Sequence, residues 1–231
     1  MLVDLVEMVC DELDTRGNVN TVDITDLNHK LENEVCATVD TLVRISFDTS
    51  VQDKIMQRGL NALVQWTKNA NARVVYDSNT DFFTDKELFE HVKDRGDIAL
   101  IAFTTDGDVF GGYYSVAVTQ QDKDFYDDSV FMFSFESHGR CETPQLFALK
   151  QEMSHLARVK YFNADGNGWF VRFGVYGFGH LGLGDINSRT WNKNFACCFQ
   201  GMQDTTLTGK TAKGWSMNCH YCTRLVAVQF S

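Results

Sequence analysis

The sequence predicts an α+β, mostly β fold: a two-sheet antiparallel β-sandwich with marginal helices, preceded by an N-terminal helical hairpin. Three observations carry that prediction. Apolar stripes at helical spacing fill the first part of the chain and stop near Val92, whereas from Asp97 onward short apolar runs alternate with glycine-rich turns. No helix-length segment separates those runs, which favours antiparallel pairing over a parallel α/β sheet. At the centre lies residues 106–118, DGDVFGGYYSVAV: the run 98–103, IALIAF, enters Asp106-Gly107, and the run from Val109 leaves it, giving a β-hairpin closed by an Asp-Gly turn. Gly111 and Gly112 sit inside the returning strand. They weaken it unless a bulge, a neighbouring backbone or an aromatic ring needs the missing side chains.

Leu2, Leu5, Val6, Val9 and Leu13 form one helical stripe, and Leu27, Leu31, Val35, Val39, Leu42 and Val43 a second. The segment between them resembles an EF-hand loop, with Asp14, Asn18 and Asp26 as the candidate calcium ligands. The register fails, because Arg16 would stand at the third position and Thr25 at the twelfth, where a bidentate glutamate is expected. A metal-free helix-loop-helix is therefore expected over residues 1–49, with the sandwich over 50–231. The stripes would also serve a homodimer.

Ser50 and Asp53 occupy the ends of a capping box that opens a helix bearing Val51, Ile55, Leu60, Leu63, Val64 and Trp66, the last a core anchor. Residues 73–76 form a short strand and 77–81 a turn, and the Thr84-x-x-Glu87 box starts a helix through Leu88, Phe89 and Val92. Strands follow at 130–135, 145–149, 158–162, 169–173 and 224–230, with a glycine run at 174–184.

The totals exclude several function classes. The 31 acidic residues against 21 basic give a net charge of -10, and no Lys/Arg cluster offers phosphates a basic face, so no nucleic acid is expected as partner. The first residues mix carboxylates with apolar side chains and lack a positive n-region, so neither a secretory signal nor membrane insertion is expected. The expected compartment is the cytoplasm. Seven cysteines, an odd number, are then reduced thiols, and a single proline fits one continuous domain.

Taken in order, Leu63-Val-Gln-Trp66, Val75-Tyr-Asp-Ser78, Phe83-Thr-Asp-Lys-Glu-Leu-Phe89, Phe110-Gly-Gly-Tyr113, Val130-Phe-Met-Phe-Ser-Phe135, Phe178-Gly-His-Leu-Gly-Leu-Gly-Asp-Ile186 and Leu225-Val-Ala-Val-Gln-Phe230 resemble a TLDc domain. The resemblance covers residues 58–231. It implies a sandwich of two antiparallel sheets with helices at its margins, in intracellular proteins linked to oxidative-stress resistance. In several members it implies binding to the vacuolar proton-pumping ATPase and promotion of its disassembly, and it brings no established catalytic residue set. Two stretches depart from the pattern. Residues 189–199 are only loosely like the family's Ser-and-Cys-containing segment, and 209–221 look like an extra or altered loop.

Chemistry-bearing patterns are weak beside their structural explanations. Cys219-x-x-Cys222 could join Cys197 and Cys198 as zinc ligands, with His220 in reserve, but adjacent cysteines on an extended segment point to opposite faces. The same Cys219/Cys222 pair could be a redox couple, yet it precedes a strand and lacks βαβ context. The six histidines form no recognisable metal or triad motif. The acidic stretch 122–128 reads as a solvated turn, and the glycines at 177–184 as close sheet packing, since the strand-then-helix context and lysine of a P-loop are missing. The expectation is a non-catalytic interaction module, without a cofactor, binding a protein partner such as a proton-pump ATPase subunit through its rim loops. The alternative is a thiol-based redox or metal-binding protein using Cys219 and Cys222.

Overall fold

Strand Ile98–Thr104 is buried along its whole length, and that single fact locates the layers. In this computed structural model, which describes residues 51–163, 169–175, 178–184, 189–210 and 220–231, the strand lies mid-sheet with one face on a second sheet and the other beneath a helix. The chain divides into Met1–Asp53 and Lys54–Ser231. The helical hairpin expected over 1–49, and with it Asp14, Asn18 and Asp26, lies outside the described residues.

The elements in order are α1 (51–67), β1 (Ala72–Asp77), α2 (Asp85–Val92), β2 (Ile98–Thr104), β3 (Val109–Tyr114), β4 (Phe125–Tyr126), β5 (Phe131–Glu136) and β6 (Gln145–Ala148). A 3-10 turn (Gln151–Leu156) leads into β7 (Ala157–Tyr161), β8 (Trp169–Val175), β9 (His180–Gly184), β10 (Arg189–Lys193), α3 (Phe195–Cys198) and β11 (His220–Phe230). One antiparallel sheet runs β1-β11-β2-β3-β5-β6 and the other β4-β7-β8-β9-β10. The long β11 belongs to both, because its first residues pair with β10 and the remainder with β2 and β1.

Period-two geometry sorts the side chains of β2. Leu100 and Ala102 face the second sheet, within a cluster that also holds Val159, Val171, Phe173 and Leu183. Ala99, Ile101 and Phe103 face the other way, onto Met56 and Leu63 of α1. A strand covered on both faces loses polar alternation, which is why 98–103 reads as an unbroken apolar run. Trp66 is half-buried at the edge of the helical layer, with its ring 6.4 Å from those of Phe131 and Phe133.

The glycine pair in β3 is explained by close approach. A Cβ on Gly112 would stand 1.8 Å from Phe173 Cε2 of the opposite sheet, and one on Gly111 1.8 Å from the Leu100 carbonyl oxygen. Across the same interface the hydroxyls of Tyr114 and Tyr161 meet at 2.7 Å, so two buried polar groups satisfy each other. The predicted cap of α2 forms as expected, with the Glu87 amide donating to Thr84 Oγ1 at 3.2 Å.

The exposed edge strand β1 is blunted by side chains rather than left as a template. A register shift falls at Val75, whose carbonyl accepts from His91 Nδ1 at 2.6 Å, and the Asp77 amide donates to Asp81 Oδ2 at 2.8 Å. Arg224 of β11 then grips Asp77 with two bonds, at 3.0 and 2.6 Å. β4, the 3-10 turn, β10 and α3 are elements the sequence pattern did not announce, and β4 and α3, with two and four residues, are too short for a period to show.

Candidate functional site

At one end of the sandwich the β2–β3 turn is drawn tight. The Gly107 amide donates to the Thr104 carbonyl at 3.0 Å, Gly107 takes φ +82°, and Thr104 Oγ1 exchanges bonds with the Asp108 backbone at 3.1 and 3.2 Å. This geometry turns the Asp108 carboxylate inward, where only 2% of its side chain is exposed. A buried carboxylate requires partners, and two come from the loop after β5. Arg140 Nη2 forms an ion pair with Asp108 Oδ1, and His138 Nδ1 donates to the same oxygen at 2.9 Å.

The same arginine ties in a third segment. Its Nε and Nη2 donate to the carbonyls of Thr206 and Leu207 at 3.3 and 2.9 Å, while Lys210 Nζ meets Asp106 Oδ2 at 2.6 Å. Glu136 accepts from the amides of Ser137 and His138 at 3.0 and 2.9 Å and faces Arg58 of α1 at 3.8 Å. His138 adopts φ +51°, held there by these bonds, and leaves half of its side chain in solvent. The result is a rim of three loops fixed by one buried charge, presenting His138, Lys210 and Asp106 outward. The bond from the His138 ring to Asp108 orients the ring at the rim.

A family model for the TLDc domain matches residues 45–175, more than half of the chain. The chain belongs to the TLDc family. A comparison with curated proteins finds none that matches. The match runs from α1 to the end of β8, so the hairpin turn and the Asp108–His138–Arg140 contacts fall within the TLDc segment, while Lys210 lies beyond it. The mostly β, two-sheet architecture is that which the TLDc resemblance implied.

The sulfur-bearing residues of this TLDc chain are arranged differently from the expectation. Cys197 and Cys198 lie on the short helix α3, not on an extended segment, so their Sγ atoms sit together at 3.2 Å instead of pointing apart. Cys197 is exposed and Cys198 buried. Burial, reinforced by the hydrogen bond and charge of Cys197, pushes the Cys198 thiol up to about 12, against the pull of the Gly179 amide and Lys150. Cys222 is buried on β11 with its thiol 3.2 Å from the Arg224 carbonyl, and Cys219 lies outside the described residues. Among the described residues no three His, Cys, Asp or Glu side chains converge, so Cys197, Cys198 and Cys222 are not brought to a common centre.

The acidic stretch 122–128 is not merely a solvated turn. Asp127 is buried, accepting from the amides of Val116 and Ser129 at 2.9 Å, and Asp124 bridges Arg158 and Arg172 at 3.5 and 3.4 Å. Gly179 packs against Cys198, where a Cβ would lie 2.8 Å from Sγ, so close packing accounts for it. No sequence signal exposed the Asp108 site: its arginine stands 32 residues away and its histidine 30, at no motif spacing.

Proposed function

We propose that this TLDc-domain protein is a non-catalytic cytoplasmic interaction module whose contact surface is the rim anchored by Asp108. The observation that carries the reading is the joining of three loops through one buried carboxylate and the Arg140 guanidinium paired with it. Such a network fixes His138, Lys210 and Asp106 before a partner arrives, which lowers the ordering cost of binding. Residue types support it as well, since Lys210 and Asp106 leave charged side chains half exposed there, suited to a complementary charged surface. Among the described residues no helix is long and apolar enough to cross a membrane.

The partner proposed from the family is a subunit of a vacuolar-type proton-pumping ATPase, and the role a part in oxidative-stress resistance. The test is co-purification of the tagged full chain from gently prepared extract. Pump subunits are expected with the wild-type chain, and at least fivefold less with Lys210→Glu combined with His138→Ala. Recovery of a partner without pump subunits would retain the module and discard the pump; equal recovery with the rim variant would discard the rim. The rival, a redox or metal-binding protein acting through Cys219 and Cys222, predicts instead that serine at both positions abolishes function while the rim variant does not. Light scattering of the same preparation reads whether the chain self-associates through its N-terminal stripes.

A further inference from the structure

The two adjacent sulfurs of α3 form a built arrangement outside the rim. Cys197 is an exposed residue whose Sγ donates to the Asn194 carbonyl at 2.9 Å and stands 3.2 Å from the Sγ of buried Cys198, which packs against Gly179. Lys150 holds its ammonium group on the Ala196 carbonyl at 2.8 Å, and its amide bonds to the Cys198 carbonyl at 2.8 Å, placing a cation beside the pair. A disulfide needs a separation of about 2.05 Å, little more than an ångström less than the sulfurs now keep; because adjacent Cα atoms lie only about 3.8 Å apart, closer than is usual across a disulfide, closure also has to distort the single turn of α3. Two tetrahedral bonds of about 2.3 Å to zinc would instead hold them nearly 4 Å apart. Of the other described thiols, Cys141 meets the Ser137 hydroxyl and Cys222 the Arg224 carbonyl in the core.

We propose that Cys197 and Cys198 form a vicinal dithiol which hydrogen peroxide closes to a reversible intrachain disulfide. Cys197, as its thiolate, attacks one peroxide oxygen; the O–O bond breaks, hydroxide leaves, and Cys197 becomes a sulfenic acid. The Cys198 sulfur then attacks the Cys197 sulfur. The S–O bond breaks, and the departing hydroxide takes the Cys198 proton as water. Two thiols and one peroxide thus give one disulfide and two waters, with two electrons passing from sulfur to peroxide. Contact between the sulfurs favours this closure over attack by a second peroxide, because the resolving thiol is already in place. The inference is independent of the partner reading.

The experiment treats the reduced, purified full chain with one equivalent of hydrogen peroxide, then blocks remaining thiols with N-ethylmaleimide before intact-mass and peptide analysis. The expected result is loss of two hydrogens, two fewer maleimide adducts, and a bridge mapped between Cys197 and Cys198 that dithiothreitol reverses. Cys197→Ser, at an exposed position and checked for an unchanged melting midpoint, should abolish the bridge. Phenylarsine oxide gives a second reading without an oxidant: the reduced wild-type chain should bind one equivalent more than Cys197→Ser, and lose that equivalent after peroxide. A sulfinic acid at Cys197 with Cys198 left free would overturn the proposal. So would a bridge to any other cysteine, a bridge between chains, or equal arsenical binding by the two proteins.

Discussion

A methyl group on Gly112 would stand 1.8 Å from a Phe173 ring carbon, and that ring is itself fully buried between the sheets. Gly139 offers the contrast, with φ +81° and nothing within 4 Å of a notional Cβ. Gly112→Ala is therefore expected to cost about 3 kcal/mol by overpacking, against about 1 kcal/mol for Gly139→Ala from backbone strain alone. Urea unfolding midpoints of the two variants check this, and equal shifts would remove the steric account. Charge follows the same logic of burial. Removing Asp108 leaves Arg140 without its carboxylate in a site where Arg140 is only 27% exposed, so Asp108→Ala should cost about 2–3 kcal/mol, somewhat less than a fully buried pair. Lys210→Ala, which breaks the exposed pair with Asp106, should cost under about 1 kcal/mol. Thermal melts of both rank the two pairs. The glycines were legible because two in a row inside a strand demand a reason. Asp108 was not, because a carboxylate next to a turn looks the same in sequence whether it points out or in.

Helix α1 and helix α2 were both visible as apolar stripes behind capping boxes, yet they do different work in the fold. Leu63 of α1 is fully buried against β2, β5 and β11 side chains, whereas Thr84 only satisfies one amide at the start of α2. Leu63→Ala is expected to cost about 2–5 kcal/mol through lost transfer energy and the cavity left behind, and Thr84→Ala about 1 kcal/mol. Chemical denaturation orders them, and a smaller loss at Leu63 would mean that α1 is not a true third layer. Element type failed where segments were short. Residues 195–198 make a single turn that no periodicity can announce; had the segment been extended the two sulfurs would face opposite ways, and the helical turn instead brings them together. The edge strand β1 illustrates a second limit: its strand character was plain from residues 73–76, but its protection by His91 and Asp81 depends on an adjoining helix and turn.

Across the whole molecule, Tyr76, Tyr113, Tyr114 and Tyr161 each have a hydroxyl pushed above the ordinary tyrosine range, first by burial. Nearby acidic groups, Asp81 for Tyr76 and Asp97 for Tyr113, add to the shift. Because the folded state holds these protons longer than the unfolded chain, stability is fully present below the unfolded tyrosine value of about 10 and falls as pH rises above it. Each such tyrosine steepens the loss by up to about 1.4 kcal/mol per pH unit. Alkaline titration followed by circular dichroism should show cooperative unfolding above about pH 10, coincident with tyrosinate absorbance; tyrosinate appearing well before unfolding would contradict the buried assignment. The sequence by itself determined that the chain is mostly β, where its longer strands and capped helices lie, and that its central glycines need a close neighbour. Those properties are written in local period, turn chemistry and cap residues, which act over a few positions. Only the tertiary structure decided which ring fills the glycine gap, which carboxylate is buried at the rim, and which two thiols touch. Each of those depends on groups from separate segments, or on the conformation of a turn too short to declare itself, and burial by distant strands is what sets their energies.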